Sequence, residues 1–408
     1  MHLVHALHRY PPALGGAEKY AAELTALHAA RGDTVTVWTS TAHDLGAMRY
    51  AGHAEHPVGL VGGVHRFRPL HFPGRRYAFK ALSMVSPPAW RARWLPCNPV
   101  MPAMMRAARD FDGPLDAVHA FAFPYSFPIL AGLRLAQRRG VPFALTPFLH
   151  LGDPNNYRDR TLLQYTSPPL RWLLRQADRV FVQTPSEFAA GVELGVPVSR
   201  LTLQGLGIDS AECTGGDRER ARRSWGTKAD DIVVGHLANL SREKGTLDLV
   251  KAMSWSSRRT VLAGPAMPNF TRAFEPSPKV TVLGPLTEAA KRDFYAGIDL
   301  FVLPSRSDSF GLVLIEAWAN GKPVVAYRAG GPADLVRHDV DGLLVPCGDV
   351  PGLSAAIARL AGDAEFRARL GHAGQARVAT EFVRDHRLAV VRDALLAMIT
   401  GGVAHATS

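Results

Sequence analysis

The residues best suited to chemistry lie in Pro304–Ala317, PSRSDSFGLVLIEA. This order reads as a strand end, a polar loop and the first turns of a helix. Asp308 stands in the loop, and Glu316 follows eight positions on, inside the helix. Gly311 lets the backbone come close to a ligand. With Ser309 just before them, the N–H groups of Phe310, Gly311 and Leu312 are expected to open the helix and hold a phosphate. Glu316 can reach sideways to a diol such as a ribose, and Asp308 can accept hydrogen bonds from sugar hydroxyls. One short element thus offers donors for a diphosphate and carboxylates for two polyols. The plainer alternative is an N-capping aspartate and a surface glutamate.

Other segments of the same kind follow strands. Gly15-Gly16-Ala17-Glu18 separates the first strand from its helix, where glycines permit close approach and a helix N-terminus attracts anions. Lys244-Gly245 follows Ser241-Arg242-Glu243 and precedes a helix. A lysine there can neutralise a departing diphosphate without a metal, although a surface lysine at a helix start looks the same. Gly330-Gly331-Pro332 follows another strand. Asp339-Val340-Asp341 matches an Asp-x-Asp metal pattern, but it runs into Gly342-Leu343-Leu344-Val345 and reads as a turn into a strand. No His, Cys or carboxylate cluster has convincing metal spacing.

The elements that must position these residues alternate. His2–His8 is a strand, Ala17–Arg31 a helix with Tyr20, Leu24 and Leu27 at helical spacing, and Thr34–Thr39 a β-branched strand after Gly32. That βαβ unit implies a parallel sheet. Further strands are predicted at Ala117–His119, Phe143–Thr146 and Val180–Gln183. After a Gly-rich, charged stretch from Gly205 to Asp231, a second series begins. It comprises strands at Ile232–Leu237, Thr260–Ala263, Val280–Leu283, Leu300–Leu303 and Pro323–Ala326, with a helix near Thr246–Met253. From about Asp349 the chain reads as helical. The fold class is α/β, with two Rossmann-like, doubly wound domains expected to face each other across a cleft.

The Asp308-to-Glu316 segment resembles the acid-x7-acid signature of family 4 retaining glycosyltransferases, which have the GT-B architecture. The usual first acid is Glu; here it is Asp308. The resemblance extends in order through Gly15-Gly16, Lys244-Gly245, Gly330-Gly331 and Asp341-Gly342, so it covers nearly the whole chain. It implies domains at 1–210 and 211–383, with a final helical segment, 384–408, crossing back to the first. It also implies a nucleoside-diphosphate sugar as donor, transfer with retention to an acceptor hydroxyl, and no cofactor or essential metal. Donor binding would involve Gly15, Gly16, Asn239, Ser309, Phe310, Gly311, Leu312 and Glu316. Catalysis would use Lys244, Arg242, Asp308 and His150. Two positions depart from the pattern: Asn239 stands where an Arg is usual, and Phe148 where a His is usual, with His150 two residues later. His119, Asn155 and Tyr157 are acceptor-side candidates. Glu316→Ala is expected to lose donor affinity with the fold intact.

The chain has 408 residues, 47 % apolar and 20 % charged, enough for two globular domains. No apolar run approaches the ~20 residues of a membrane span, and the N-terminus lacks the basic region and cleavage site of a signal peptide. Its three cysteines, Cys97, Cys213 and Cys347, are far apart, and the expected compartment is the cytoplasm. The net charge of +11 is unevenly spread: no acid occurs between Glu55 and Asp110, while Arg66–Arg109 holds many arginines among aromatics. That stretch is either a solvated basic face or a surface for an anionic membrane at its inner side or for a lipid-linked or phosphorylated acceptor; nucleic acid is not expected. The resemblance points to bacterial surface-glycan, glycolipid or natural-product biosynthesis. Two rivals remain at this level: a GT-B-like epimerase or phosphorylase, and a binding protein with a degenerate site.

Overall fold

The computed structural model describes residues 1–406 apart from Ser86, Ala229 and Trp255, with side chains as far as Gly401. The last two residues of the expected 384–408 segment therefore lie outside the described residues. The chain forms two units. One contains Met1–Leu149, Leu163–Gln204 and the chain from Leu388; the other contains His150–Leu162 and Gly205–Arg387. Relative to the expected boundaries, the main difference is residues 150–162, which belong to the second unit.

The first unit is built on strands β1 (His2–Ala6), β2 (Thr34–Ser40), β3 (Gly59–Val61), β4 (Val64–Phe67), β5 (Ala117–Phe121), β6 (Phe143–Thr146), β7 (Arg179–Val182) and β8 (Leu201–Leu203). Their order is β3-β4-β2-β1-β5-β6-β7-β8, and only the short β3–β4 pair is antiparallel. Parallel strands need helices on both faces, which is why β5, Ala-Val-His-Ala-Phe, is buried at every position. The helix Gly16–Ala30 makes the crossover from β1 to β2, and Gly32, at φ 78°, allows the return.

Three imidazoles lie inside this unit. His5, His28 and His119 are fully buried, with ring centroids 5.6 Å apart for His5–His28 and 5.7 Å for His5–His119. Each is fixed by a local partner: Thr25 Oγ1 at 2.9 Å, Asp33 Oδ2 at 2.8 Å and Thr146 Oγ1 at 2.8 Å, respectively. Asp33 also takes the Met1 ammonium at 2.9 Å and Arg392 at 2.8 Å, drawing both to the connection between the Gly16–Ala30 helix and β2.

The second unit has β9 (Val233–Leu237), β10 (Arg259–Ala263), β11 (Val280–Val282), β12 (Leu300–Leu303), β13 (Val324–Tyr327) and β14 (Gly342–Val345). All pairs are parallel, and the order is β11-β10-β9-β12-β13-β14. This is the doubly wound order in which strand progression reverses between the first and fourth strands. The loops leaving β9 and β12 diverge at that point, so their carboxyl ends frame a crevice. Trp318, fully buried, anchors the helix after β12 by donating from Nε1 to the Asp341 carbonyl at 2.8 Å.

Burial, and then the charge of His119 and His28, holds the His5 imidazole far below its ordinary value; burial, and then His28, does the same to His119. The unfolded chain therefore binds protons that the folded one excludes. Stability from these groups is complete above about pH 6.5 and falls as the pH drops below it, by up to ~1.4 kcal/mol per pH unit for each histidine. Thermal midpoints measured from pH 7.5 to pH 5 are expected to decline progressively below 6.5.

Candidate active site

The crevice of the second unit is made by Leu240–Gly245 after β9 and Pro304–Gly311 after β12. Its base is polar yet buried. His236, on β9, contacts the Val302 carbonyl at 2.8 Å and Thr246 Oγ1 at 3.0 Å. Thr246 Oγ1 in turn accepts from the Ser241 amide at 3.2 Å, and Ser241 Oγ accepts from the Lys244 amide at 3.1 Å. This chain of bonds sets the loop that carries Lys244. Gly245 adopts φ 67°, and a Cβ there would lie 1.8 Å from the Pro304 carbonyl oxygen. Only glycine permits the two loops to approach so closely.

That approach brings Lys244 Nζ within 2.6 Å of Asp308 Oδ2. Burial would raise the Asp308 carboxyl, but Lys244, then His150, brings it below its ordinary value. The other carboxylate oxygen accepts from the Phe310 amide at 3.3 Å. One of the three amides expected to be open for a phosphate is thus used by Asp308. The helix itself begins at Leu312, after Gly311 at φ 95°. Gly330 and Gly331 seat against the same loop: the Gly331 amide donates to the Asp308 carbonyl at 2.8 Å, and a Cβ on Gly330 would come within 2.4 Å of that oxygen.

His150 joins this group. Burial, and then Lys244, holds its imidazole down at about 4, against the pull of Asp308 and a hydrogen bond with the Ser307 backbone. At neutral pH it is an uncharged donor and acceptor beside an ion pair. Its segment is secured by contacts that sequence reasoning missed. Arg306 pairs with Asp153 at 2.9 Å and with Asp248 at 2.6 Å. The Gly152 amide donates to Ser307 Oγ at 3.2 Å, and Asn155 Nδ2 to the Cys347 carbonyl at 2.9 Å. These partners are far apart in the chain, and no local spacing signals them.

Glu316 is held more firmly than expected. Lys291 Nζ lies 3.1 Å from Oε1, and the Tyr295 hydroxyl donates to Oε2 at 2.7 Å. Both come from the helix Glu288–Gly297. Glu316→Ala would remove one of two carboxylates from the half-buried Lys291 ammonium, which keeps its pair with Glu288 at 3.0 Å. Arg242 and Asn239 are exposed at the rim, and Ser309 is half-buried beside Asp308. Asp341 is fully buried and is bound by Arg337 at 2.7 Å and Arg377 at 2.8 Å, so its role is structural.

In the first unit, Gly15 is the N-cap and Gly16 the first residue of the helix, and both are exposed. Yet the carboxylate at that N-terminus is already the protein's own. Glu18 folds back so that a Cβ on Gly15 would meet Oε2 at 2.1 Å, and it pairs with Arg9 at 2.5 Å and His8 at 3.2 Å. His119 is corrected as an acceptor-side candidate, because its strand is buried on both faces and the ring lies in the core. Tyr157, 77 % exposed, and Asn155 belong to the second unit.

Residues 15–207 match the model described as a glycosyl transferase 4-like domain, and residues 217–377 match the model described as glycosyl transferases group 1. Together they take in most of the chain, which belongs to this family of glycosyltransferases. Over 191 residues it is 34 % identical to the lipopolysaccharide core biosynthesis glycosyltransferase LpsD of Rhizobium meliloti, covering 45 % of this chain and 54 % of LpsD. Over 285 residues it is 31 % identical to the D-inositol 3-phosphate glycosyltransferase of Mycobacteroides abscessus, covering 65 % of this chain and 62 % of that one. The chain thus spans between half and two thirds of these relatives. Anabaena HepE, solved with UDP-glucose, aligns with a TM-score of 0.71 at 20 % identity, covering 97 % of this chain and 100 % of that chain. The fold, two parallel-sheet α/β domains, is that of GT-B glycosyltransferases.

Two substitutions test the local geometry. Gly245→Ala forces a left-handed residue and a backbone clash, and is expected to cost more than about 2 kcal/mol in denaturant unfolding. Glu316→Gln keeps shape but removes the charge facing Lys291, with an expected loss of about 1–3 kcal/mol by the same measurement.

Proposed function

We propose that the protein transfers a sugar from a nucleoside-diphosphate sugar to an acceptor hydroxyl, with retention of anomeric configuration and without a catalytic metal. The observation that carries this reading is the Lys244–Asp308 pair, 2.6 Å apart, in the crevice where the sheet order of the second unit reverses. Incoming diphosphate would take over Lys244 from Asp308. The lysine, with Arg242 at the rim and the amides of Gly311 and Leu312, would then stabilise the charge that grows on the leaving group. Asp308, released, would accept hydrogen bonds from the sugar hydroxyls. His150, uncharged at neutral pH, would add a neutral hydrogen bond without repelling an oxocarbenium-like centre. Glu316, aligned by Tyr295 and Lys291, would face the ribose. A donor sugar held this way leaves the acceptor to attack on the face the diphosphate vacates.

The binding of UDP-glucose by HepE supports a nucleotide-sugar donor by likeness of fold. No described helix is long and apolar enough to cross a membrane. The reading is tested by a thermal-shift panel of UDP-, GDP-, ADP- and dTDP-sugars in EDTA. One base is expected to raise the midpoint, because a ligand of the folded state stabilises by mass action. With the donor so identified, Lys244→Ala is expected to lower turnover by roughly 10²-fold or more. A midpoint unmoved by any sugar nucleotide, or full turnover in the variant, would refute the reading.

A further inference from the structure

A separate cavity lies wholly in the first unit and is not part of the crevice above. It has a volume of about 730 Å³ and is lined by three guanidiniums, Arg49, Arg75 and Arg76, with Tyr50, Phe72 and Tyr77 on its walls. Arg75 is 4 % exposed. Its Nη2 donates to the Asn98 carbonyl, and the guanidinium lies over the Phe79 ring at 4.5 Å, but Nε is buried with no hydrogen-bond partner. Among the described residues, none of the three arginines forms an ion pair with a carboxylate. Arg75 and Arg76 lie within residues 56–109, which contain no acid.

A charge removed from water is ordinarily paired, because desolvation costs several kcal/mol. Here burial, and then the nearby Arg49, pushes the Arg75 guanidinium down to about 10. Cys97, also on the wall, is no counter-ion: burial pushes its thiol up to about 11. The protein thus keeps a buried cation uncompensated and places a second cation beside it. A site of this kind is complete only when an anion enters. Guanidinium forks match phosphate geometry, and three positive charges suit a group of up to two negative ones. The volume far exceeds a phosphate ion, and the aromatic walls offer contact to an organic remainder.

We propose that this cavity binds the phosphate group of an organic phosphate. Resting on the transfer reading, this ligand is the acceptor, and the phosphate is what anchors it. The same chemistry is presented by a soluble sugar or polyol phosphate and by a phospholipid headgroup.

The test uses the full chain, calorimetric titration and three probes at 150 mM salt: a hexose 6-phosphate, phosphatidylglycerol vesicles and phosphatidylcholine vesicles. Because Arg75 also holds the Asn98 carbonyl and Arg75→Met could misfold, the main variant is Arg49→Gln with Arg76→Gln, both exposed. Saturable binding of the hexose phosphate, weakened at least tenfold in the double variant, supports a soluble ligand. Binding of phosphatidylglycerol but not phosphatidylcholine vesicles, weakened equally, supports a lipid source. No binding of any probe, or equal binding by wild type and variant, overturns the proposal. Nucleoside-diphosphate shifts, which report on the second unit, separate the two failures. If they are absent while phosphate binding is present and variant-sensitive, the transfer reading fails and the cavity assignment stands.

Discussion

The ion pair between Lys244 and Asp308 is the interaction around which the second unit's loops are organised. It exists because two loops from adjacent parallel strands are forced together, and they can be forced together only because Gly245 has no side chain. The polar relay from His236 through Thr246 and Ser241 fixes one loop, while Gly330 and Gly331 clamp the other at Asp308. A partly buried pair is costly to break by removing one partner, because the other charge is left uncompensated. Such a pair can exchange one anion for another. A diphosphate carries more charge than a carboxylate, and it can displace Asp308 without exposing Lys244 to an unpaired state.

The two units place opposite demands on charge. In the second, every functional cation near the crevice base has a resident carboxylate: Lys244 has Asp308, Lys291 has Glu316 and Arg306 has Asp153 and Asp248. In the first, Glu18 likewise neutralises Arg9 at the helix start. Against that pattern, buried Arg75 has no carboxylate partner and faces Arg49 and Arg76 across the cavity, which gives the first unit a binding feature independent of its sheet.

Much of the scaffold was legible. Thr246–Met253, Leu300–Leu303 and Phe143–Thr146 stand where β-branched or apolar runs meet glycine and proline punctuation. The site loops were legible in the same way, because Lys244 followed by Gly245, and Asp308 followed by Gly311, stand in polar loops between a strand and a helix. Strands β3, β4 and β8 and the short helices Arg75–Leu82, Pro88–Arg93 and Pro102–Asp110 were not, since the segments are brief and carry no sustained periodicity. His119 was misread because position at a strand end says nothing about which faces of that strand are covered. Lys291, Tyr295, Arg306 and Asp153 were missed because their partners lie on other elements. Side chains that position a site from a distance leave no spacing in the sequence.

The exchange of Asp308 for diphosphate is tested most directly by calorimetric titration of the cognate nucleoside diphosphate into wild type, Lys244→Met and Asp308→Asn. If Lys244 serves both anions in turn, Lys244→Met weakens binding at least tenfold, while Asp308→Asn, which removes the competitor, binds as tightly as wild type or more so. Loss of affinity in Asp308→Asn equal to that in Lys244→Met, or unchanged affinity in Lys244→Met, would contradict it.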